Sequence, residues 1–196
     1  MLRDFSAKAV SILIGAAALA IVAGTATAQA GKLQSLYSFC SNKDPESGIC
    51  YDGGRPDGPV VRDTNGKLLG AAAGGGKFNE GTVFEIAGTS LKTLYDFCKK
   101  TNCSDGAVPL SGLVLDGAGN LYGTTQNGGP AFSGIAFELK HVAGGWKQTV
   151  LYDFCSKPQC ADGGDMVAGL TIDDAGNLYG TTLSGGVGDG GTVFTL

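Results

Sequence analysis

A five-residue string, Leu94-Tyr95-Asp96-Phe97-Cys98, returns 57 residues later as Leu151-Tyr152-Asp153-Phe154-Cys155. The agreement extends well past it: residues 94–139 and 151–196, laid over each other without a gap, are identical at 25 of 46 positions. The shared positions include Asp105-Gly106 with Asp162-Gly163, the run Gly119-Asn120-Leu121-Tyr122-Gly123-Thr124-Thr125 with Gly176 to Thr182, and Gly128-Gly129 with Gly185-Gly186. A more worn copy precedes them, with Leu36-Tyr37-Ser38-Phe39-Cys40, then Asn65-Gly66-Lys67-Leu68-Leu69-Gly70-Ala71-Ala72, then Gly81-Thr82-Val83-Phe84. A chain made of such units cannot fold around a single private core, because each unit is too small to bury its own faces and must bury them against the next copy.

Each copy contains four short runs of strand type, as in Leu91–Phe97, Gly112–Leu115, Asn120–Thr125 and Gly134–Leu139. The Asp116-Gly117-Ala118-Gly119-Asn120 segment joins the second run to the third as a hairpin turn, since Asp bonds its own backbone and Gly tolerates positive φ. Asp173–Asn177 repeats it. The links Gly88-Thr89-Ser90 and Ala143-Gly144-Gly145 are short enough to make the fourth strand of one copy and the first of the next neighbours. No segment after the leader keeps a helical period, and 34 glycines with 16% charged residues suit turns and strands. The fold class expected is all-β, a β-propeller-like array of four-stranded antiparallel blades in three repeats of about 57 residues. The first run (Leu33–Phe39) has no strand before it and the last (Gly191–Leu196) none after it, the two halves of a split hairpin. Three blades fall below the usual four to eight. Two chains sharing a six-bladed ring, a truncated member of a longer array, and an open β-solenoid all remain open at this point.

Residues 1–28 read as a secretory signal peptide: Arg3 and Lys8 precede an apolar run from Ala9 to Gly24, and Ala26-Thr27-Ala28 supplies small residues for cleavage. The run is too short for a membrane span, and none is expected once the leader is removed. Residues 29–196 then form the repeat domain, with repeats at about 33–90, 91–147 and 148–196. A secreted or periplasmic location follows. The net charge of -4, with basic residues scattered among acidic ones, excludes nucleic acid as a partner.

Six cysteines fall two to a repeat in equivalent places, which favours local disulfides Cys40 with Cys50, Cys98 with Cys103 and Cys155 with Cys160. The spacing of the second and third pairs is wider than a Cys-x-x-Cys redox motif, and no pair has a neighbouring His. Loop carboxylates come next: Asp105, Asp116, Asp162, Asp165, Asp173 and Asp174 sit among Gly and Asn, where calcium is often held. Turn chemistry accounts for Asp116 and Asp173, no twelve-residue calcium loop is present, and Gly185-Gly186-Val187-Gly188-Asp189 has its Asp one place early for the calcium nonapeptide. No metal site is expected, and Ca2+ is the one cofactor these loops would accept. His141 is the lone histidine and reads as an exposed strand residue. Gly75-Gly76-Lys77-Phe78 fails as a phosphate loop, since Phe78 stands where Ser or Thr must bind magnesium. Asp105, Asp162, Thr124, Thr125, Thr181 and Thr182 are the candidate binding residues, as repeated polar groups able to line a channel. Trp146 could stack on a sugar ring or serve as a packing lid.

Leu-Tyr-x-Phe, Asp-Gly, Gly-Asn-Leu-Tyr-Gly-Thr-Thr, Gly-Gly and Gly-Thr-Val-Phe together resemble the GloVer (Gloeo-Verruco) tandem repeat of exported bacterial proteins, over about residues 33–196. The resemblance implies a propeller-like array and brings no established reaction. Family members of the choice-of-anchor type end in a surface-sorting segment and carry more repeats; this chain stops at Leu196 without one, which favours simple secretion or the periplasm. The function expected is that of an exported, non-catalytic binding or scaffolding module with an extracellular glycan or surface protein as partner, or a homodimer completing a six-bladed ring. The competing expectation is a propeller hydrolase or lyase with an Asp-lined, calcium-dependent central site.

Overall fold

The computed structural model describes residues 31–196. The expected signal peptide, residues 1–28, lies outside the described residues. Alternating β-branched, aromatic and small residues, cut every few positions by Asp, Asn and Gly, produce eleven strands and no α-helix among the described residues. The strands form three antiparallel sheets. Sheet 1 runs β1 (Val61–Arg62), β2 (Leu68–Ala72), β3 (Thr82–Ala87), β4 (Ser90–Asp96). Sheet 2 repeats that order with β5 (Val114–Leu115), β6 (Leu121–Thr124), β7 (Ile135–Val142) and β8 (Gly145–Asp153). Sheet 3 has only β9 (Thr171–Ile172), β10 (Leu178–Thr181) and β11 (Val193–Thr195). The body from Ser35 to Leu196 is one compact unit.

The sheets straddle the sequence repeats. β4 opens the second copy yet pairs with β3 of the first, and β8 pairs with β7 in the same way, because the hairpins Gly88-Thr89 and Ala143-Gly144 leave no room for another partner. Both pairings carry a bulge at the same place, between Val83 and Phe84 and between Ala136 and Phe137. The register explains the glycine inside each Leu-Tyr-Gly-Thr or Leu-Leu-Gly-Ala strand. Gly70, Gly123 and Gly180 face Phe84, Phe137 and Phe194 across the ladder. A Cβ on those glycines would stand 2.6, 2.8 and 2.6 Å from the opposing ring, so only glycine lets the phenylalanine lie over the strand.

The main core joins sheets 1 and 2 through Leu69, Val83, Phe97, Leu121, Ile135, Phe137 and Leu139, with Trp146 and Leu115 at its margin. Smaller clusters gather around Phe84 with Phe39 and around Phe154 with Met166 and Phe194. The same ring pair recurs at each copy: Phe39 on Phe84, Phe97 on Phe137 and Phe154 on Phe194, with centroids 4.9, 5.1 and 4.9 Å apart. Neighbouring sheets are also stitched by backbone. Val108 N–H donates to the Glu80 carbonyl at 2.8 Å and Asp165 N–H to that of Ser133 at 3.1 Å.

Two expectations change. Leu33–Phe39 is not a hydrogen-bonded strand, although its sequence matches β4 and β8. Those two are delivered onto a partner by a tight hairpin from the strand before, and no strand precedes Leu33–Phe39 among the described residues. The edge strands β5 and β9 have two residues each, shorter than the expected Gly112–Leu115. Copies crowd there: a Cβ on Gly58 would meet the Gly112 nitrogen at 2.5 Å, so backbone packs on backbone beside β5.

Candidate functional site

The repeated polar residues assemble into one motif, built three times. In each copy the disulfide closes a small loop: Cys40–Cys50, Cys98–Cys103 and Cys155–Cys160 are the bonded pairs. The Asp that follows the second cysteine turns back into that loop. Asp105 accepts the Tyr95 hydroxyl at 2.6 Å and the Lys99 and Lys100 N–H groups at 3.1 Å each. Asp162 accepts Tyr152 Oη at 2.8 Å, Ser156 N–H at 3.0 Å and Lys157 N–H at 3.1 Å. Asp52 does the same with Tyr37 at 2.7 Å and Ser41 N–H at 2.9 Å. The strand tyrosine is thereby fastened to the loop, and the carboxylate satisfies N–H groups that the tight turn leaves unpaired.

The electrostatics follow from these contacts. Burial pushes the Asp162 carboxyl up, but hydrogen bonds from Ser156, Tyr152 and Lys157 outweigh it and bring the pKa to about 2. Burial, then the hydrogen bond and charge of Asp105, drives the Tyr95 hydroxyl far above its ordinary range, so it stays protonated and donates to Asp105.

The back of each loop explains the Gly-Gly pair. The carbonyl of Cys103 accepts Gly106 N–H at 2.8 Å and Gly129 N–H at 3.0 Å. Gly128, at φ +82°, lies so close that a Cβ would come within 2.6 Å of the same carbonyl oxygen.

The candidate binding residues are placed within this framework. Asp105 is fully buried; Asp162 is half-buried in its own loop. Thr124 and Thr125 are buried: Thr124 Oγ1 lies 2.9 Å from Ser111 Oγ, and Thr125 Oγ1 donates to the Asn127 carbonyl at 2.8 Å. Thr182 Oγ1 donates to the Ser184 carbonyl at 3.0 Å, and Thr181 is exposed on β10. Asp116 and Asp173 close their hairpins as expected, each accepting N–H groups two and four residues on. Asp189 is committed to Gly185 N–H at 2.8 Å. Among the described residues no group of three or more His, Cys, Asp or Glu is placed to hold a metal ion.

The residue that breaks the repeat is Trp146, the only tryptophan, which stands at the start of β8 with His141 against its edge at 5.3 Å. It walls three depressions, of which two bear on ligand binding. One, of about 280 Å³, lies between the Asp63–Gly66 and Asp116–Gly119 turns, with Leu69 and Leu115 beneath and Glu85 on the rim. The other, of about 350 Å³, brings Lys99, Lys100 and Lys147 around the same ring, with Tyr95 and Gln148 behind. Gln148 is 8% exposed; its Nε2 donates to the Asp105 carbonyl at 3.2 Å, and its Oε1 has no partner among the described residues. Sequence reasoning weighed Trp146 alone and missed the lysines. Two come from the Cys98–Cys103 loop and one from β8, so only the fold gathers them. The Tyr–Asp lock was also missed, though both halves repeat in step.

Three like sheets, each carrying the same disulfide loop and carboxylate lock, define an all-β tandem-repeat protein. The chain belongs to the Gloeobacter/Verrucomicrobia repeat family, whose model matches residues 25–196. Among curated proteins none matches the chain. Three disulfides, and no helix among the described residues long and apolar enough to cross a membrane, are compatible with an extracytoplasmic location.

Proposed function

We propose that this protein is an extracytoplasmic, non-catalytic binding module of propeller type that takes an acidic glycan against the Trp146–lysine wall. The observation that carries the reading is the division of labour among polar groups. The repeated Asp and Thr side chains are largely spent on internal hydrogen bonds. The cleft of Trp146, Lys99, Lys100 and Lys147 is a combination that the other copies do not reproduce, and it offers an aromatic side chain beside three lysines. An indole face stacks on the C–H side of a sugar ring, and clustered lysines favour carboxylated or sulfated saccharides over neutral ones.

The single tryptophan makes the test direct, because its fluorescence reports from the cleft itself. Titration with uronic-acid oligosaccharides should shift Trp146 emission saturably and more weakly as salt is raised. Neutral gluco-oligosaccharides should not. Lys99→Ala with Lys147→Ala should weaken binding by at least about tenfold, the scale of one lost charge-assisted hydrogen bond. No response to acidic oligosaccharides, or an equal response to neutral ones, removes the reading.

A further inference from the structure

Two seams inside the chain are built from the same groups, and a third set of those groups is present without a mate. At the first seam Phe97 N–H donates to the Gly81 carbonyl at 3.0 Å and Val108 N–H to the Glu80 carbonyl at 2.8 Å, while Tyr95 and Asp96 lie opposite Val83 and Thr82. At the second, Phe154 N–H donates to Gly134 at 3.1 Å and Asp165 N–H to Ser133 at 3.1 Å, with Tyr152 and Asp153 opposite Ala136 and Ile135. The third set is split between the two ends of the array. Its acceptors are the Gly190 and Gly191 carbonyls beside β11, and its donors are the Phe39 and Arg55 N–H groups beside sheet 1. None of these four takes part in a backbone–backbone hydrogen bond among the described residues.

The outer edge of β11 is bare accordingly. Val193 is 83% exposed, where the equivalent Val83 and Ala136 are 0% exposed. A trough of about 330 Å³ runs along it, with Phe154, Val193, Phe194 and Leu196 among the polar side chains of Lys157, Asp162 and Thr195. Leu33 and Leu36 are correspondingly exposed on the segment whose sequence matches the absent strand. An unpaired strand edge with apolar side chains is a template for another strand.

We propose that β11 of one copy receives Leu33–Phe39 of a second copy as its fourth strand, and that the exchange is reciprocal, joining two chains through two seams into one assembly of six sheets. The occupant is a second copy because the chain's own segment is already seated elsewhere: Phe39 packs on Phe84 of sheet 1. Within the chain β4 packs on β8 and β5 on β9, and no strand of sheet 1 packs to that extent on sheet 3. The two internal seams fix the register of the third. Ser38 lies opposite Thr192 and Tyr37 opposite Val193; past a bulge at the position shared by the other two, Ser35 lies opposite Phe194 and Leu33 opposite Leu196. Phe39 N–H then reaches Gly191 of the other copy, and Arg55 N–H reaches Gly190. This interface is separate from the Trp146 cleft and does not depend on the glycan reading.

Light scattering after size exclusion of the oxidised protein without residues 1–28 tests it, since Ser35–Leu196 is one compact unit by itself. The wild-type protein should have the mass of two chains. Val193→Lys places an ammonium at a position the seam would bury, on a side chain already exposed within the single chain, so the variant should keep its circular dichroism and run at the mass of one chain. A wild-type mass of one chain, or a dimer that survives Val193→Lys, overturns the proposal.

Discussion

β7 and β11 occupy the same place in successive sheets, with the same glycine-facing phenylalanine and the same offset from the preceding strand. They differ in what lies outside them. β7 is covered by β8, and Ile135, Ala136, Phe137 and Leu139 are fully buried. β11 has no outer neighbour: Val193 and Leu196 are exposed and Phe194 is half-buried. Burial in this architecture is therefore a property of the neighbour as much as of the residue, as expected where stability is a sum of unit and interface contributions.

Truncating the equivalent phenylalanines gives the largest contrast. Phe137→Ala should cost about 4 kcal/mol, as for a fully buried aromatic, and Phe194→Ala distinctly less in the single chain; chemical denaturation of both variants measures the gap. Equal losses measured in the monomeric Val193→Lys background would mean that sheet 3 is already covered within the single chain. Next come the two carboxylate locks. Asp105→Asn turns an amide toward N–H donors inside a fully buried loop and should cost about 3 kcal/mol, more than Asp162→Asn in its half-buried one. A smaller effect of about 2 kcal/mol is expected from opening either five-residue disulfide loop by paired Cys→Ala substitution. Cys155→Ala with Cys160→Ala should matter less than the sheet 2 pair if sheet 3 is the looser unit.

The weakest contrast is in pH. The Asp162 carboxyl sits near 2 in the folded protein, below its unfolded value of about 3.9. Its ionised form is thus favoured by folding, and that contribution is fully present above about pH 4 and lost as pH falls toward 2. The thermal midpoint of the wild type should decline across that window, and Asp162→Asn should decline less steeply; parallel curves would show that the lock does not supply the dependence.

The sequence made the turns, strands and cysteine pairs legible because each is a local event. Asp116 and Asp173 bond their own turns, and the paired cysteines stand close enough to leave no better partner. The glycine in Leu-Tyr-Gly-Thr had no visible reason until the register put Phe137 over Gly123. Tyr95 and Asp105 repeat in step ten residues apart, and that co-repetition was the available signal for their contact. Lys99 and Lys147 have no counterpart in the third copy and Lys100 recurs only as Lys157, so nothing in the chain order announces that the three share a cleft with Trp146. Leu33–Phe39 was misread for the converse reason: its residues are those of a strand, and strand formation needs an edge to pair with.

Hydrogen exchange of the oxidised protein at low and high concentration tests the central claim most directly, because it watches both halves of the open seam at once. The account predicts that amides of Leu33–Phe39 and of Gly191–Leu196 gain protection together as concentration rises, while β7 is protected throughout. Protection of neither segment at high concentration, or protection of both that does not change with concentration, would contradict it.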